Sequence, residues 1–111
     1  RVDGSSAQSV RLAHSQPGGD EQLAYHWLGA GNKQRAAEHA RRAADHAVER
    51  LDFDRAAEYY RLAFYAGEFP PEERRAILKA LGDALFNAGR PKEAAEAYLQ
   101  ASEGSEPASW L

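Results

Sequence analysis

Apolar residues in this chain recur every three or four positions and nowhere alternate with polar ones, a pattern that predicts helices and no strands. Leu23, Ala24, Trp27 and Leu28 keep helical spacing until Gly29-Ala30-Gly31, and Asp20 ahead of them offers a side-chain acceptor suited to capping that helix. Ala36, Ala40, Ala43, Ala44, Ala47 and Leu51 mark one face of a long helix over 33–50, with Asn32 as its cap. Leu51-Asp52-Phe53-Asp54 reads as a turn, after which Ala56, Tyr59, Tyr60, Ala63 and Phe64 line an aromatic-rich helix ending near Gly67. Pro70 and Pro71 restart the chain, because a missing N–H is no loss in the first helical turn, and Glu72 and Glu73 complement the positive helix terminus. Ile77, Leu78, Leu81, Ala84, Leu85 and Ala88 give the next helix the most aliphatic face, and Gly89-Arg90-Pro91 separates it from a last one carrying Ala94, Ala95, Tyr98, Leu99 and Ala101. Over 4–16 a weaker rhythm at Val10, Leu12 and Ala13 predicts a short first helix, broken by Pro17-Gly18-Gly19. The reading is all-α: a tail or partial helix over 1–19, a five-helix domain over 20–103, and over 104–111 a tail or the start of a further element, with Trp110 beyond the last helix.

Three segments align without gaps: Gly31 to Ala40, Leu51 to Tyr60 and Gly89 to Tyr98. Each runs from a turn through a polar first helical turn into Ala-Ala-Glu, at Ala36-Ala37-Glu38, Ala56-Ala57-Glu58 and Ala94-Ala95-Glu96. Internal repetition of helical hairpins implies units that cannot bury a face alone and must stack on their neighbours. The spacing is uneven, 20 positions from Ala36 to Ala56 and 38 from Ala56 to Ala94. The long helix over 33–50 is therefore expected to serve two hairpins, as second helix of one and first helix of the next.

The last segment resembles the tetratricopeptide (TPR) repeat through Leu78, Leu81, Gly82 and Leu85 on its first helix and Ala94, Tyr98 and Ala101 on its second, with Pro107 near the closing proline. The resemblance implies a right-handed solenoid fragment of antiparallel helix hairpins, in which small residues such as Gly82 and Ala94 let helices approach. Ala44, Ala56, Tyr60 and Ala63 carry it into the middle hairpin, whose Ala40, Ala43 and Ala47 stand where the family has larger residues. The stretch Leu23 to Gly31 followed by the shared long helix also looks like the helical segment that follows the ATPase module in large bacterial signalling proteins. In TPR domains the first helix of each hairpin lines a concave groove, and the matching positions here are Glu38, Arg41, Arg42, Asp45 and Glu49, then Lys79, Asp83, Phe86 and Asn87. The family's carboxylate-gripping groove has Asn where this chain has Asp45 and Asp83, so binding of a peptide's terminal carboxylate is disfavoured by repulsion.

Composition narrows the function classes. Among 111 residues, 14 Lys and Arg against 17 Asp and Glu give a net charge of −3, which disfavours a nucleic-acid partner. No cysteine is present, which removes disulfides and thiolate chemistry, and no apolar run is long enough to cross a membrane. Methionine is absent even at position 1 and no signal segment follows, so the sequence reads as a piece of a longer, cytoplasmic protein. Alanine fills 23 of the 111 positions, which favours thin, closely approaching helices.

Candidate chemistry is sparse. His39 and His46 sit seven positions apart on one helix, about 10 Å from each other, too far to share an ion without other ligands, and His14 and His26 add no metal-site spacing. No phosphate-cradling loop or nucleophile elbow is present. The sequence therefore reads as no enzyme, with no cofactor and no metal site. Trp27, Tyr60 and Tyr98 are expected as core wedges facing small residues, whereas Phe86 projects off its helix's apolar face with Arg75, Lys79 and Asp83. The expected role is a protein–protein interaction or intramolecular coupling module, its groove taking a protein or peptide segment or another domain of the same chain, with Phe86 as anchor and Arg41, Arg42 and Lys79 as charge contacts. Two alternatives stay open: a structural spacer with no ligand of its own, and a sensor tail of a nucleotide-controlled regulator or kinase.

Overall fold

The computed structural model describes residues 17–103, which form five α-helices and, among the described residues, no strand. They are α1 (Pro17–Gly29), α2 (Lys33–Glu49), α3 (Phe53–Ala66), α4 (Pro71–Asn87) and α5 (Pro91–Glu103). The short helix expected over 4–16, like Trp110, lies outside the described residues. Helices consecutive in the chain pack on one another, and ion pairs also join next-but-one neighbours. Glu21 of α1 meets Arg55 of α3 at 3.4 Å, Arg41 of α2 meets Glu73 of α4 at 3.3 Å, and Arg61 of α3 meets Glu93 of α5 at 3.7 Å.

Three of the four connections are the same tight turn. The amides of Asn32, Asp52 and Arg90 donate to the carbonyls of Trp27, Ala47 and Leu85, five residues back, at 2.9, 2.8 and 2.9 Å. One residue earlier, Gly31, Leu51 and Gly89 donate to Leu28, Val48 and Phe86. These paired bonds satisfy the last carbonyls of each helix and require a left-handed residue between them. Gly31 and Gly89 supply it at φ 85° and 82°; Leu51, a residue that pays a steric penalty there, adopts φ 63° with its side chain exposed. Asn32 and Asp52 then cap α2 and α3 by accepting from the amides of Arg35 and Arg55, at 3.0 and 3.4 Å.

The fourth connection, from Ala66 to Pro71, is built on close approach. Gly67 is extended and buried, and a Cβ there would lie 2.5 Å from that of Ala37 and 2.6 Å from the Phe69 ring. Only glycine lets the chain pass at this point.

The start of α1 differs from the sequence expectation. Pro17-Gly18-Gly19 forms the first described turn of α1, so Asp20 is inside the helix and is no cap. Proline suits the first helical position. The two glycines each cost about 1 kcal/mol of helix propensity relative to alanine, and the residue that follows them, Asp20, is buried with its carboxylate bonded to α2.

The core is small-residue packing around a few large wedges. The buried residues of α2 are six alanines (Ala36, Ala37, Ala40, Ala43, Ala44 and Ala47) and His39. Tyr59, Tyr60 and Phe64 of α3 and Ile77, Leu78, Leu81 and Leu85 of α4 supply most of the bulk. A second cluster of Ala24, Ala40 and Ala63, with Leu62 against it, ties α1 to α2 and α3. The wedge expectation holds for Tyr60, 5% exposed, but not fully for the other two. Trp27 is half-buried beneath the Arg35 guanidinium, 5.1 Å from its ring centroid, and Tyr98 is 37% exposed.

Gly82 does permit a close approach, but the atoms nearest to it belong to the Tyr98 ring rather than to Ala94. A Cβ at Gly82 would lie 2.5 Å from Tyr98 Cε1 and 2.6 Å from Cδ1. Gly82→Ala should therefore destabilise the protein by about 1 kcal/mol, because displacing the ring outweighs the gain in helix propensity. In a Tyr98→Ala background the same substitution should stabilise, by up to about 1 kcal/mol. Urea unfolding of the four chains checks this, and a stabilising Gly82→Ala in the unaltered chain would show that the ring does not seat on Gly82.

Candidate functional site

The charged stripe of α2 forms as the helical spacing predicts, yet most of it is engaged within the chain. On one flank the Arg41 guanidinium reaches Glu73 and lies 5.8 Å from the centroid of the Phe69 ring. Asp45 accepts a 2.5 Å hydrogen bond from the Tyr60 hydroxyl. On the other flank Arg42 turns toward α1. Glu38 accepts from the Gln34 amide at 3.4 Å, and Glu49 stands 3.6 Å from His46.

The α4 positions repeat part of this arrangement. Asp83 accepts a 2.5 Å hydrogen bond from the Tyr98 hydroxyl, so the carboxylate–phenol clasp of Asp45 and Tyr60 recurs 38 residues further along. Asn87 is spent on its own helix, donating to the Asp83 carbonyl at 2.9 Å. Lys79 and Phe86 are exposed, Phe86 at 62%. Of the expected groove residues, Asp45 bonds Tyr60 directly, and the charges of Arg41 and Asp83 also reach that phenol. Glu38 and Glu49 bond locally on α2, and Phe86 and Asn87 lie in the last turn of α4.

Burial first, and then the hydrogen bond and charge of Asp45, hold the Tyr60 phenol protonated well above its ordinary pKa of 10.0. Burial, followed by Glu21, does the same for Tyr59, and the hydrogen bond to Asp83 leads in raising Tyr98. A phenol whose folded-state pKa is raised contributes stability that is complete below the unfolded value and is lost as pH climbs toward the folded one.

A second polar cluster escaped the sequence reading. Asp20 is 2% exposed, and its carboxylate receives three side chains of α2: His39 Nδ1 at 3.0 Å, Arg42 Nε at 3.3 Å and His46 Nε2 at 3.6 Å. Arg42 Nη2 also stands 3.0 Å from His39 Nδ1. A proton on Nδ1 donates to Asp20; a bare Nδ1 accepts from Arg42 instead, so the His39 tautomer decides which bond forms. The spacing of His39 and His46 was visible as one face of one helix. What it lacked was the third group, because the two rings meet on a carboxylate from α1 rather than on each other.

The chemistry of these groups is that of joints. His39 is 8% exposed and held between α1 and α2, and the Asp45 and Asp83 carboxylates are occupied by phenol donors. Among the described residues no group of three or more His, Cys, Asp or Glu side chains is placed to hold a metal ion, and no helix is long and apolar enough to cross a membrane. No protein-family model, curated protein or solved structure matches the chain.

Two expectations follow from this geometry. Asp20→Ala should lower stability by about 1 to 3 kcal/mol, because it leaves buried His39 without its acceptor; a urea midpoint equal to that of the unaltered chain would remove the cluster from the fold's supports. Stability should also fall as pH rises beyond 10, the ordinary phenol value. Tyr60→Phe, lacking the phenol that must ionise, should show a shallower alkaline decline in thermal midpoints measured between neutral pH and the alkaline limit.

Proposed function

We propose that this chain is a TPR-like stack of helix hairpins, a right-handed solenoid fragment, that holds a segment of another protein or of a neighbouring domain and catalyses no reaction. One observation carries the reading: α2 with α3 and α4 with α5 share a construction offset by 38 residues. In both, a left-handed turn residue (Leu51, Gly89) joins the helices and an Asp–Tyr clasp (Asp45–Tyr60, Asp83–Tyr98) locks them. Units built alike and set side by side present equivalent faces in register, which is the basis on which helical repeats bind extended partners.

The binding contacts on this reading differ from those that the sequence favoured. Arg41 and Arg42 have partners in Glu73 and Asp20, so any ligand would have to displace bonds the fold already uses. Lys79 makes no ion pair among the described residues and Phe86 projects into solvent, which makes these two the available charge and apolar anchor. An exposed aromatic and an unpaired cation two helical turns apart, about 10 Å along α4, suit a partner segment carrying an apolar and an acidic residue at matching separation.

The same internal bonds lend weight to a second reading, a spacer whose polar face serves its own packing. Capture of binding proteins on the immobilised chain, with the retained proteins identified by mass spectrometry and their affinities measured, separates the two. Lys79→Glu with Phe86→Ala should weaken capture by about tenfold or more, since charge reversal opposes like charges and the truncation removes the anchor. Lys92→Glu, at the start of α5, should leave it unchanged. Equal binding by both variants sinks the groove assignment, and no capture by any chain favours the spacer.

A further inference from the structure

The polar joint between α1 and α2 places more contacts on one ring nitrogen than that nitrogen can satisfy at once. His39 Nδ1 stands 3.0 Å from Asp20 Oδ1 and 3.0 Å from Arg42 Nη2, while Arg42 Nε stands 3.3 Å from the same Oδ1. In this triangle Nδ1 faces one atom that only accepts and one that only donates. A bare Nδ1 bonds Arg42 and sets its lone pair against the carboxylate; a protonated Nδ1 bonds Asp20 and sets its hydrogen against the guanidinium. One side of the triangle is repulsive in either state, and a single proton decides which side that is.

His46 adds a second imidazole, with Nε2 3.6 Å from Asp20 Oδ2 and Nδ1 3.6 Å from Glu49. The other charged groups on the packed elements, among the described residues, are directed elsewhere. Glu21 of α1 pairs with Arg55 of α3, Arg41 pairs with Glu73 of α4, Arg35 lies over the Trp27 ring, His26 stands edge-on to that ring, and Glu38 accepts from Gln34. Helix α3 meets the joint's apolar side, where Leu62 and Ala63 pack with Ala24 and Ala40. Of the three side chains on Asp20, Arg42 is the most open to water, 54% exposed against 10% for His39 and 29% for His46. It is therefore the one that solvent takes back at least cost.

We propose that Asp20, His39, Arg42 and His46 form a proton-operated switch, in which protonation of His39 transfers Asp20 Oδ1 to the imidazolium and releases Arg42 to the charged face of α2. With the ring neutral, its hydrogen is on Nε2, and the bare Nδ1 and Asp20 together hold the guanidinium at the joint. A proton taken from water onto Nδ1 turns that acceptor into a donor, so the Arg42 contact becomes repulsive while the Asp20 contact becomes a charge-assisted bond. Like charges then crowd one carboxylate that is 2% exposed, where repulsion is screened less than in water, and a proton on His46 adds to the push. Histidine is the side chain whose ordinary titration falls between pH 5 and 8, so the trigger is mild acid. The freed guanidinium meets Glu38, four residues back on the same stripe, in the spacing of a helical ion pair. A partner on that stripe gains a cation in acid, a consequence that rests on the binding reading, whereas the exchange itself belongs to the chain alone.

The test follows the full chain, with no partner present, by two-dimensional NMR between pH 8 and pH 5. The imidazole signals of His39 are those lost in His39→Phe, and the guanidinium Nε–H signal of Arg42 is the one lost in Arg42→Lys. With the ring neutral, its Nδ1 signal is expected at the position of a nitrogen without hydrogen. As the ring is protonated, the Arg42 signal should travel more than about half way to the position it has in urea, with the same midpoint as the His39 signals. In His39→Phe and in His39→Asn, neither of which can take the proton, it should travel less than about a quarter as far, although His46 is retained; either variant that folds suffices. An Nδ1 that already carries hydrogen in the neutral ring overturns the proposal, as does an Arg42 signal that stays in place while His39 is protonated. Equal travel without His39, or a His39 ring that remains neutral down to pH 5, overturns it too.

Discussion

Everything in this fold follows from α2 being thin. Its buried side chains are alanines apart from His39, so α1, α3 and the start of α4 can all come close to one helix without large residues competing for the space. Close approach maximises contact between backbones but buries few methylene groups, and apolar stabilisation scales with the area removed from water. A core of alanines therefore gains less per residue than one of leucines. The bulk that the packing still requires comes from the partners: Tyr59, Tyr60 and Phe64 on one side, Ile77, Leu78, Leu81 and Leu85 beyond.

Polar clasps make up part of the difference. The buried Asp20 carboxylate fixes α1 to α2, Tyr60 fixes α3 to Asp45 of α2, and Tyr98 fixes α5 to Asp83 of α4. Such bonds are directional where alanine contacts are not. They select one register between helices that smooth alanine faces would allow to slide, and a buried donor or acceptor left unpaired by a slip costs about 1 to 3 kcal/mol. The fold thus takes its closeness from alanine and its registration from tyrosine, histidine and aspartate.

The elements were legible because each is written locally. Helices α2 to α5 fall within a residue or two of the spans that apolar spacing, Asn32, Asp52 and the Pro and Gly stops mark out, and the repeated turn is visible as Gly31, Leu51 and Gly89 ahead of each Ala-Ala-Glu. What failed was non-local. Pro17-Gly18-Gly19 reads as a breaker on propensity alone, yet it is helical and leads into Asp20, whose carboxylate is bonded nineteen residues away. The same long-range bond hid His39 and His46, whose shared partner is on another helix. The stripe of α2 was placed correctly on its face, but helical spacing says nothing of which neighbours will claim those charges.

That distinction between a face and its availability decides what the surface offers. A charge pattern on one helix records the sum of two demands, contacts to neighbouring helices and contacts to anything outside. On α2 the first demand accounts for Arg41, Arg42 and Asp45, whose partners Glu73, Asp20 and Tyr60 come from three different helices. On α4 the equivalent of Asp45, Asp83, is likewise held by a phenol, Tyr98, but two other equivalent positions are not engaged among the described residues. Lys79, the counterpart of Arg41, stands without an acid, and Phe86, the counterpart of half-buried Val48, stands in solvent. Exposure of a charged face therefore depends on which neighbours pack beside it: the α2 face is engaged by α1, α3 and α4, while among the described residues Lys79 and Phe86 of α4 are not.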